Sequence, residues 1–391
     1  MSKKVKLKEI IDFKNGYAFK SNEFKDSGIP IIRIGNISED KLDLSDLKYY
    51  DENSSLDVYQ IFNNDILIAM SGATTGKIAL NIFSEKLYLN QRIGSIRAKE
   101  CTIPTYIFYF LKKNKEYLLS LASGSAQPNL SSNQIKDIEI PFPSLEEQKQ
   151  IAKRLDKANE LIELRKESIS KLDTLAKSIF IDMFGDPVTN PKGWKKNKIS
   201  DTYINKGDFV DGPFGSDLKV SDRTDEGIRI IQINNIGINM FRNFNKAYIS
   251  EKKYLSLKRH EALRGDIVIA KMGEPIARSC FFPEYLDKAI IVADCMRLRV
   301  SSQNFNPKFV CFYLNLESIK CLINNLTHGS TRVRINLSIL KTLDIINPNL
   351  ELQNKFAKII EKIEEQKSLY EKELEILQTN FDALLQKSFQ E

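Results

Sequence analysis

Residues 144–185, SLEEQKQIAKRLDKANELIELRKESISKLDTLAKSIFIDMFG, form a long charged stretch in mid-chain that recurs at the C-terminus, and this duplication constrains the fold more than any other feature. Apolar side chains return at alternating steps of four and three: Ile151, Leu155, Ala158, Ile162, then Ile169, Leu172, Ala176, Ile179 and Met183. That spacing is a heptad seam. Adding 205 to each number lands on Phe356, Ile360, Ile363, Leu374, Leu377, Phe381, Leu384 and neighbouring seam positions, so residues 349–391 keep the same frame. Two helices in one register are expected to pair. Arg165 and Lys367 interrupt the seam, and polar residues in such a seam fix its register. Each helix follows a proline, with Ser144 or Asn349 as the N-cap and carboxylates in the first turn facing the helix dipole. Ser144 with Glu147 also has the spacing of a capping box.

The segments between the helices repeat one another as well. GIPIIRIGNI (28–37) answers GIRIIQINNI (227–236), and NDILIAM (64–70) answers GDIVIAK (265–271). Both are β-branched runs bounded by turn residues, as strands are. PTYIFYFL (104–111) answers PKFVCFYL (307–314), each a proline-started helix with an apolar face. A Gly-Ser loop closes each segment, GSAQPNL (124–130) and GSTRVRINL (329–337). The chain therefore divides into an α/β globe at 1–143, a helix at 144–185, a second globe at 186–348 and a final helix at 349–391. The stretch from Phe184 to Trp194 packs two glycines and two prolines into eleven residues, which ends the first helix and marks a linker. With a linker that short, the end of helix one and the start of helix two belong to the same globe. The helices must then run antiparallel.

At 42% apolar and 28% charged, the chain has the composition of a folded globular protein. No run approaches the roughly 18 apolar residues of a membrane span, and no apolar core follows the basic start MSKKVKLKEI, so a cytoplasmic protein is expected. Five cysteines, odd in number and without a C-x-x-C pair, read as buried free thiols and not as disulfides or a zinc site. The net charge of +7 permits a polyanionic partner. It is concentrated in the second globe, where 25 Lys and Arg face 17 Asp and Glu; the first globe has 19 against 17, and the last helix 6 against 9. Basic globes beside neutral or acidic helices suggest globes that meet nucleic acid and helices that meet protein.

Motifs of catalysis are missing. SGATTGK (71–77) has three residues between its glycines where a phosphate loop has four, and Ile78 follows the lysine where Ser or Thr is required, so a turn between strands is expected. His260 and His328 stand apart from any ligand set at metal spacing. The triplets Glu23-Phe24-Lys25 and Glu251-Lys252-Lys253 match a nuclease tail only as chance allows in so charged a chain. No Gly-x-Gly-x-x-Gly loop and no Asn/Asp-Pro-Pro-aromatic motif is present, and no catalytic residue or metal ligand is assigned.

Two divergent globes, each followed by a helix opening on Pro-x-Leu-Glu-x-Gln, resemble the specificity (S) subunit of type I restriction-modification enzymes. The resemblance runs through essentially the whole chain; IPFPSLEEQ (140–148) and KSIFIDMFG (177–185) carry it most specifically, and IINPNLELQ (345–353) matches less well. It implies α/β (α+β) target recognition domains in two copies, joined by two long helices in an antiparallel coiled coil, with an internal pseudo-twofold repeat. It also implies that each domain reads half of a bipartite duplex DNA target while the helices set the spacer and dock two methyltransferase (M) subunits. Restriction (R) subunits complete such an enzyme; S-adenosylmethionine, ATP and Mg are expected in the partners and no cofactor in this chain. A coiled-coil scaffold without DNA recognition is the rival reading. DNA-contacting candidates are the donors in divergent loops: Lys77, Gln91, Arg92 and Gln127 in the first globe, and Arg242, Lys271, Arg332 and Arg334 in the second. Arg can bind guanine, and Gln adenine, through two hydrogen bonds.

Overall fold

The computed structural model describes residues 3–38, 40–122, 128–327 and 334–390. It divides into two compact units, Met1–Glu167 with Glu371–Glu391, and Ser168–Tyr370, so each unit takes in part of both long helices.

In the first unit, strands Ile11–Asn15, Ile93–Ala98, Ile66–Ala69 and Ile78–Leu80 form an antiparallel sheet in that order. A second sheet runs Lys48–Tyr50, Ile29–Ile32, Leu87–Leu89, Gln60–Ile61, with a parallel pairing between its two central strands. The second unit repeats the plan. Phe209–Asp211, Cys295–Leu298, Ile267–Ala270 and Ser279–Phe281 form the antiparallel sheet, and Ile228–Ile231 pairs in parallel with Lys288–Ile291 at the centre of a five-stranded one. Mostly antiparallel sheets with helices set apart from them make each globe α+β. Ile66–Ala69 and Ile267–Ala270 are buried along their whole length, which is why both read as unbroken apolar runs without alternation.

The long helices span Leu145–Phe184 and Leu350–Ser388. Ser144 and Glu147 form the capping box, Ser144 N–H to Glu147 Oε2 at 2.9 Å and Glu147 N–H to Ser144 Oγ at 3.3 Å, and Asn349 Oδ1 accepts from Leu352 N–H at 2.8 Å. Gly185, at φ +77°, ends the first helix in the left-handed conformation. The expected linker is an ordered turn: the Trp194 indole N–H donates to the Phe184 carbonyl at 2.8 Å.

Within each unit the helix segments run antiparallel. In the first, Arg165 pairs with Glu373 at 2.9 Å, and Tyr109 touches Asp156 on one helix and Phe381 on the other. In the second, Lys367 pairs with Asp173 at 2.6 Å, and Phe356 lies 5.4 Å from the rings of both Phe180 and Phe184. The polar interruptions of the seam thus find carboxylates on the facing helix. Seam residues and the apolar residues next to them join the globe cores. Leu155, Ile162, Phe381, Leu385 and Phe389 pack with Tyr106 and Phe110; Ala176, Phe180, Phe184, Phe356 and Ile360 pack with Phe309 and Tyr313.

A glutamine in the first turn of each long helix locks it to its globe. Gln148 Oε1 accepts from Thr102 Oγ1 at 2.8 Å and from Ile103 N–H at 3.1 Å, while Nε2 donates to the Pro143 carbonyl at 3.0 Å. Gln353 Oε1 accepts from Asn306 N–H and Nε2 donates to the Pro348 carbonyl, both at 2.9 Å. Both glutamines are fully buried.

Three of the five free cysteines, Cys280, Cys295 and Cys311, are buried as expected; Cys101 and Cys321 are exposed.

Because an unpaired buried N–H costs about 1–3 kcal/mol, Gln353→Leu should lower the urea midpoint of the chain, and Gln148→Leu should do so comparably. Unchanged midpoints for both variants would contradict the locking role.

Candidate nucleic-acid interface

Both globes gather their divergent loops at one end of the strands, and the same backbone hydrogen bonds do the gathering. In the first globe Gly16 N–H donates to Ile93 O, Asn90 N–H to Ile32 O, Met70 N–H to Arg92 O and Leu130 N–H to Met70 O, at 2.8–3.2 Å. In the second the matching bonds are Gly212 to Cys295, Val292 to Ile231, Lys271 to Asp294 and Ile335 to Lys271, at 2.9–3.1 Å. Glycine is required at the head of both sets. A Cβ on Gly16 would lie 2.1 Å from the Asn90 carbonyl oxygen, and one on Gly212 1.9 Å from that of Val292, closer than any side chain tolerates.

A second shared device fixes the turn after the central parallel strand. Asn36 Oδ1 accepts from Arg33 N–H, and its Nδ2 donates to the carbonyls of Asp43 and Asp46; Asn235 makes the same three bonds to Gln232, Arg242 and Phe244. In each globe a cleft opens between this turn and the loop before the long antiparallel strand. Its volume is about 360 Å³ in the first globe, lined by Arg33, Asn36, Asn90 and Arg92, and about 400 Å³ in the second.

The 71–77 loop is the expected strand-to-strand turn. The amides of Thr75, Gly76 and Lys77 donate to the carbonyls of Gly72, Ala69 and Thr74, which leaves them nothing to offer a phosphate. Its counterpart at Met272–Pro275 is stitched down by Arg278, a nearly buried side chain that donates to the carbonyls of Ile236, Met272 and Ile233. Sequence reasoning did not single out Arg278; nothing local distinguishes it from a surface arginine. Beside it, Lys320 donates to the Ala277 carbonyl, and burial pulls its pKa down to about 7.

Of the DNA-contacting candidates, Lys77, Gln91 and Arg92 are exposed in the first globe's loops, and Arg242 is exposed in the second's. Arg334 is exposed, with Nη2 held 2.9 Å from Asp294 Oδ1 and bonded to the Ala293 carbonyl at 3.3 Å. Lys271 needs correction. Its side chain is only 9% exposed and Nζ sits 2.7 Å from Asp211 Oδ1, so it braces the loops from beneath and offers no free cation. Gln127 and Arg332 lie outside the described residues, as does His328. His260 holds the Asp211 carbonyl through Nδ1 at 2.6 Å, a structural role. Among the described residues no group of three or more His, Cys, Asp or Glu is placed to hold a metal ion, and no helix is long and apolar enough to cross a membrane. Sequence reasoning also passed over Arg33, whose guanidinium lines the first cleft and donates to Asp46 at 3.2 Å.

Comparison with known proteins decides what kind of loop cluster this is. The family model described as the type I restriction modification DNA specificity domain matches residues 2–174 and again 191–379. The chain belongs to that family. It carries two specificity domains, and the second match begins within the ordered turn that follows the central helix. Curated relatives agree. The MjaVIII specificity subunit of Methanocaldococcus jannaschii is 27% identical over 323 residues, covering 80% of this chain and 75% of that protein. The StySPI specificity subunit of Salmonella potsdam is 24% identical, covering 93% and 81%. A crystal structure of the S subunit from M. genitalium superposes with a TM-score of 0.59 at 18% identity, covering 100% of this chain and 96% of that one. A second solved chain, from work on complex assembly and conformational transition of the type I R-M system, gives 0.54 at 18% identity, covering 99% and 97%. The specificity-domain fold therefore extends over the whole chain, and the repeated loop clusters are features of specificity domains.

If the glycine approach builds the cluster, Gly212→Ala should displace the 211–219 loop and weaken target binding at least tenfold, with a stability loss of about 1–3 kcal/mol. Gly16→Ala should do the same in the first specificity domain. Wild-type target affinity in both variants, measured by fluorescence anisotropy, would contradict the assignment.

Proposed function

We propose that each specificity domain reads one half of a bipartite duplex DNA target through its loop cluster, and that the two long helices set the spacer between the halves and dock two methyltransferase subunits. The chain itself is non-catalytic. Methyl transfer with S-adenosylmethionine, and ATP- and Mg-dependent cleavage, belong to the methyltransferase and restriction subunits, and the assembly works in the cytoplasm.

One observation carries the reading: the same backbone frame presents different side chains in the two globes. Where the first has Arg92 the second has Asp294, with identical main-chain bonds around both, and where the first has Gly35 the second has Asn234. A scaffold built for assembly alone would have no use for a held frame with varied tips, whereas a reader of two unlike half-sites requires one. The family match to both globes, and not to the helices alone, also disfavours the scaffold. The surplus of basic residues in the second globe suits contact with phosphates, which positions a protein on DNA while the base contacts specify the sequence.

Replacing residues 186–348 with the matching segment of another specificity subunit should change one half of the methylated sequence and leave the other intact. Sequencing methylated genomic DNA from cells that carry each version with a methyltransferase partner reads this directly. Alteration of both halves would mean that the globes do not read independently.

A further inference from the structure

At and beside the cleft of the second globe several side chains that the shared frame does not need differ from their counterparts, Asn234 in the lining and Phe214 beside it among them. Phe214 stands at the tip of the 211–219 loop with 81% of its surface exposed, and its counterpart in the first globe is Ala18. Phe214 lies in sequence between Pro213 and Gly215, which line the cleft, and Pro213, Leu218, Val220 and Ile230 give that lining an apolar part. Asn234 lines the cleft where the first globe has Gly35. Its neighbour Asn235 makes three hydrogen bonds that hold the turn, but Asn234 Oδ1 has no partner among the described residues although it is occluded from solvent. Reorienting that amide therefore sacrifices no hydrogen bond at Oδ1, and the group carries both an acceptor and a donor. The one carboxylate of the lining, Asp294, is neutralised by Arg334 at 2.9 Å.

We propose that this cleft reads an A·T base pair in the major groove of the half-site bound by the second globe. Phe214 packs on the thymine C5-methyl, and the Asn234 amide accepts from adenine N6 and donates to N7. Those are the edges by which adenine and thymine differ from the other bases in that groove, and an asparagine amide and an apolar side chain are their matching partners. The loop that carries Phe214 is fixed at its base by the Gly212 contact, so its backbone there has less conformational freedom to lose on binding. The proposal rests on the reading of the globes as DNA readers and names what the second one recognises.

The test uses the full chain with its methyltransferase partner and duplex oligonucleotides carrying the target found by methylation mapping. Each thymine of the half-site assigned to residues 186–348 is replaced in turn by deoxyuridine, which lacks only the methyl group. At one position the wild-type complex should lose roughly fourfold in affinity, the value of one buried methyl group, and F214A should show no difference there. Replacing the paired adenine by 7-deazaadenine should weaken the wild-type complex and leave N234A unaffected. Phe214 is exposed, so an unaltered melting curve for F214A separates recognition from folding. A half-site without an A·T pair, a flat deoxyuridine scan, or a penalty that persists in F214A overturns the proposal while leaving the DNA-reading function standing. A wild-type complex that binds its mapped target no better than a scrambled duplex overturns both.

Discussion

Each globe's core is closed by apolar side chains from both long helices, and this packing is the constraint on which the rest depends. In the second unit Phe180 and Phe184 from the central helix and Phe356 from the C-terminal helix surround Phe309, with ring separations of 5.1–6.4 Å. In the first, Phe381 and Phe389 reach Tyr106, Tyr109 and Phe110 at 5.1–6.1 Å. Burying one such ring is worth about 1.5–3 kcal/mol, several times the few tenths of a typical exposed helix-to-helix ion pair. Arg165–Glu373 and Lys367–Asp173 therefore set register more than stability. Helix pairing and globe folding become one event, because seam residues such as Leu155, Phe356 and Phe381 and the rings beside the seam enter the same cores.

The anchored core allows the loops at the far ends of the strands to vary. A buried aspartate fixes the opposite end of the antiparallel sheet in each globe: Asp65 pairs with Arg97 at 2.7 Å through two oxygens, and Asp266 with Arg299 at 2.8–2.9 Å. Each also caps the turn that precedes its own strand, accepting from Phe62 or Leu263 N–H at 2.8 Å. At the loop end much of the main chain is held by backbone bonds, and the side chains both globes share for it are glycine at 16 and 212 and asparagine at 36 and 235. Backbone-held loops can change sequence without changing shape, as a family of readers with different targets requires.

Much of this was legible in the sequence because it was written twice. The heptad frame, the caps at Ser144 and Asn349 and the strands at 66–69 and 267–270 follow from period and turn chemistry, and duplication separated them from chance. The antiparallel sense of the helices followed from chain connectivity. What was not legible depends on contacts between residues far apart in sequence. Lys271 looked like a free cation at a loop edge, and only the fold brings Asp211, sixty residues away, to its ammonium group. Arg278 and Arg33 looked like surface arginines, and the parallel pairing of Ile228–Ile231 with Lys288–Ile291 has no local signal. The glycines at 16 and 212 were visible as turn residues, but their close approach to a neighbouring carbonyl was not.

Hydrogen exchange on the chain assembled with its methyltransferase partner, with and without the mapped duplex target, tests the account most directly. The account predicts slowed exchange at the loop clusters of both globes, residues 15–20, 33–36 and 90–92 in the first and 211–219, 232–235 and 292–294 in the second, while the outer faces of the sheets are unchanged. Protection confined to the long helices, or to one globe alone, would contradict it.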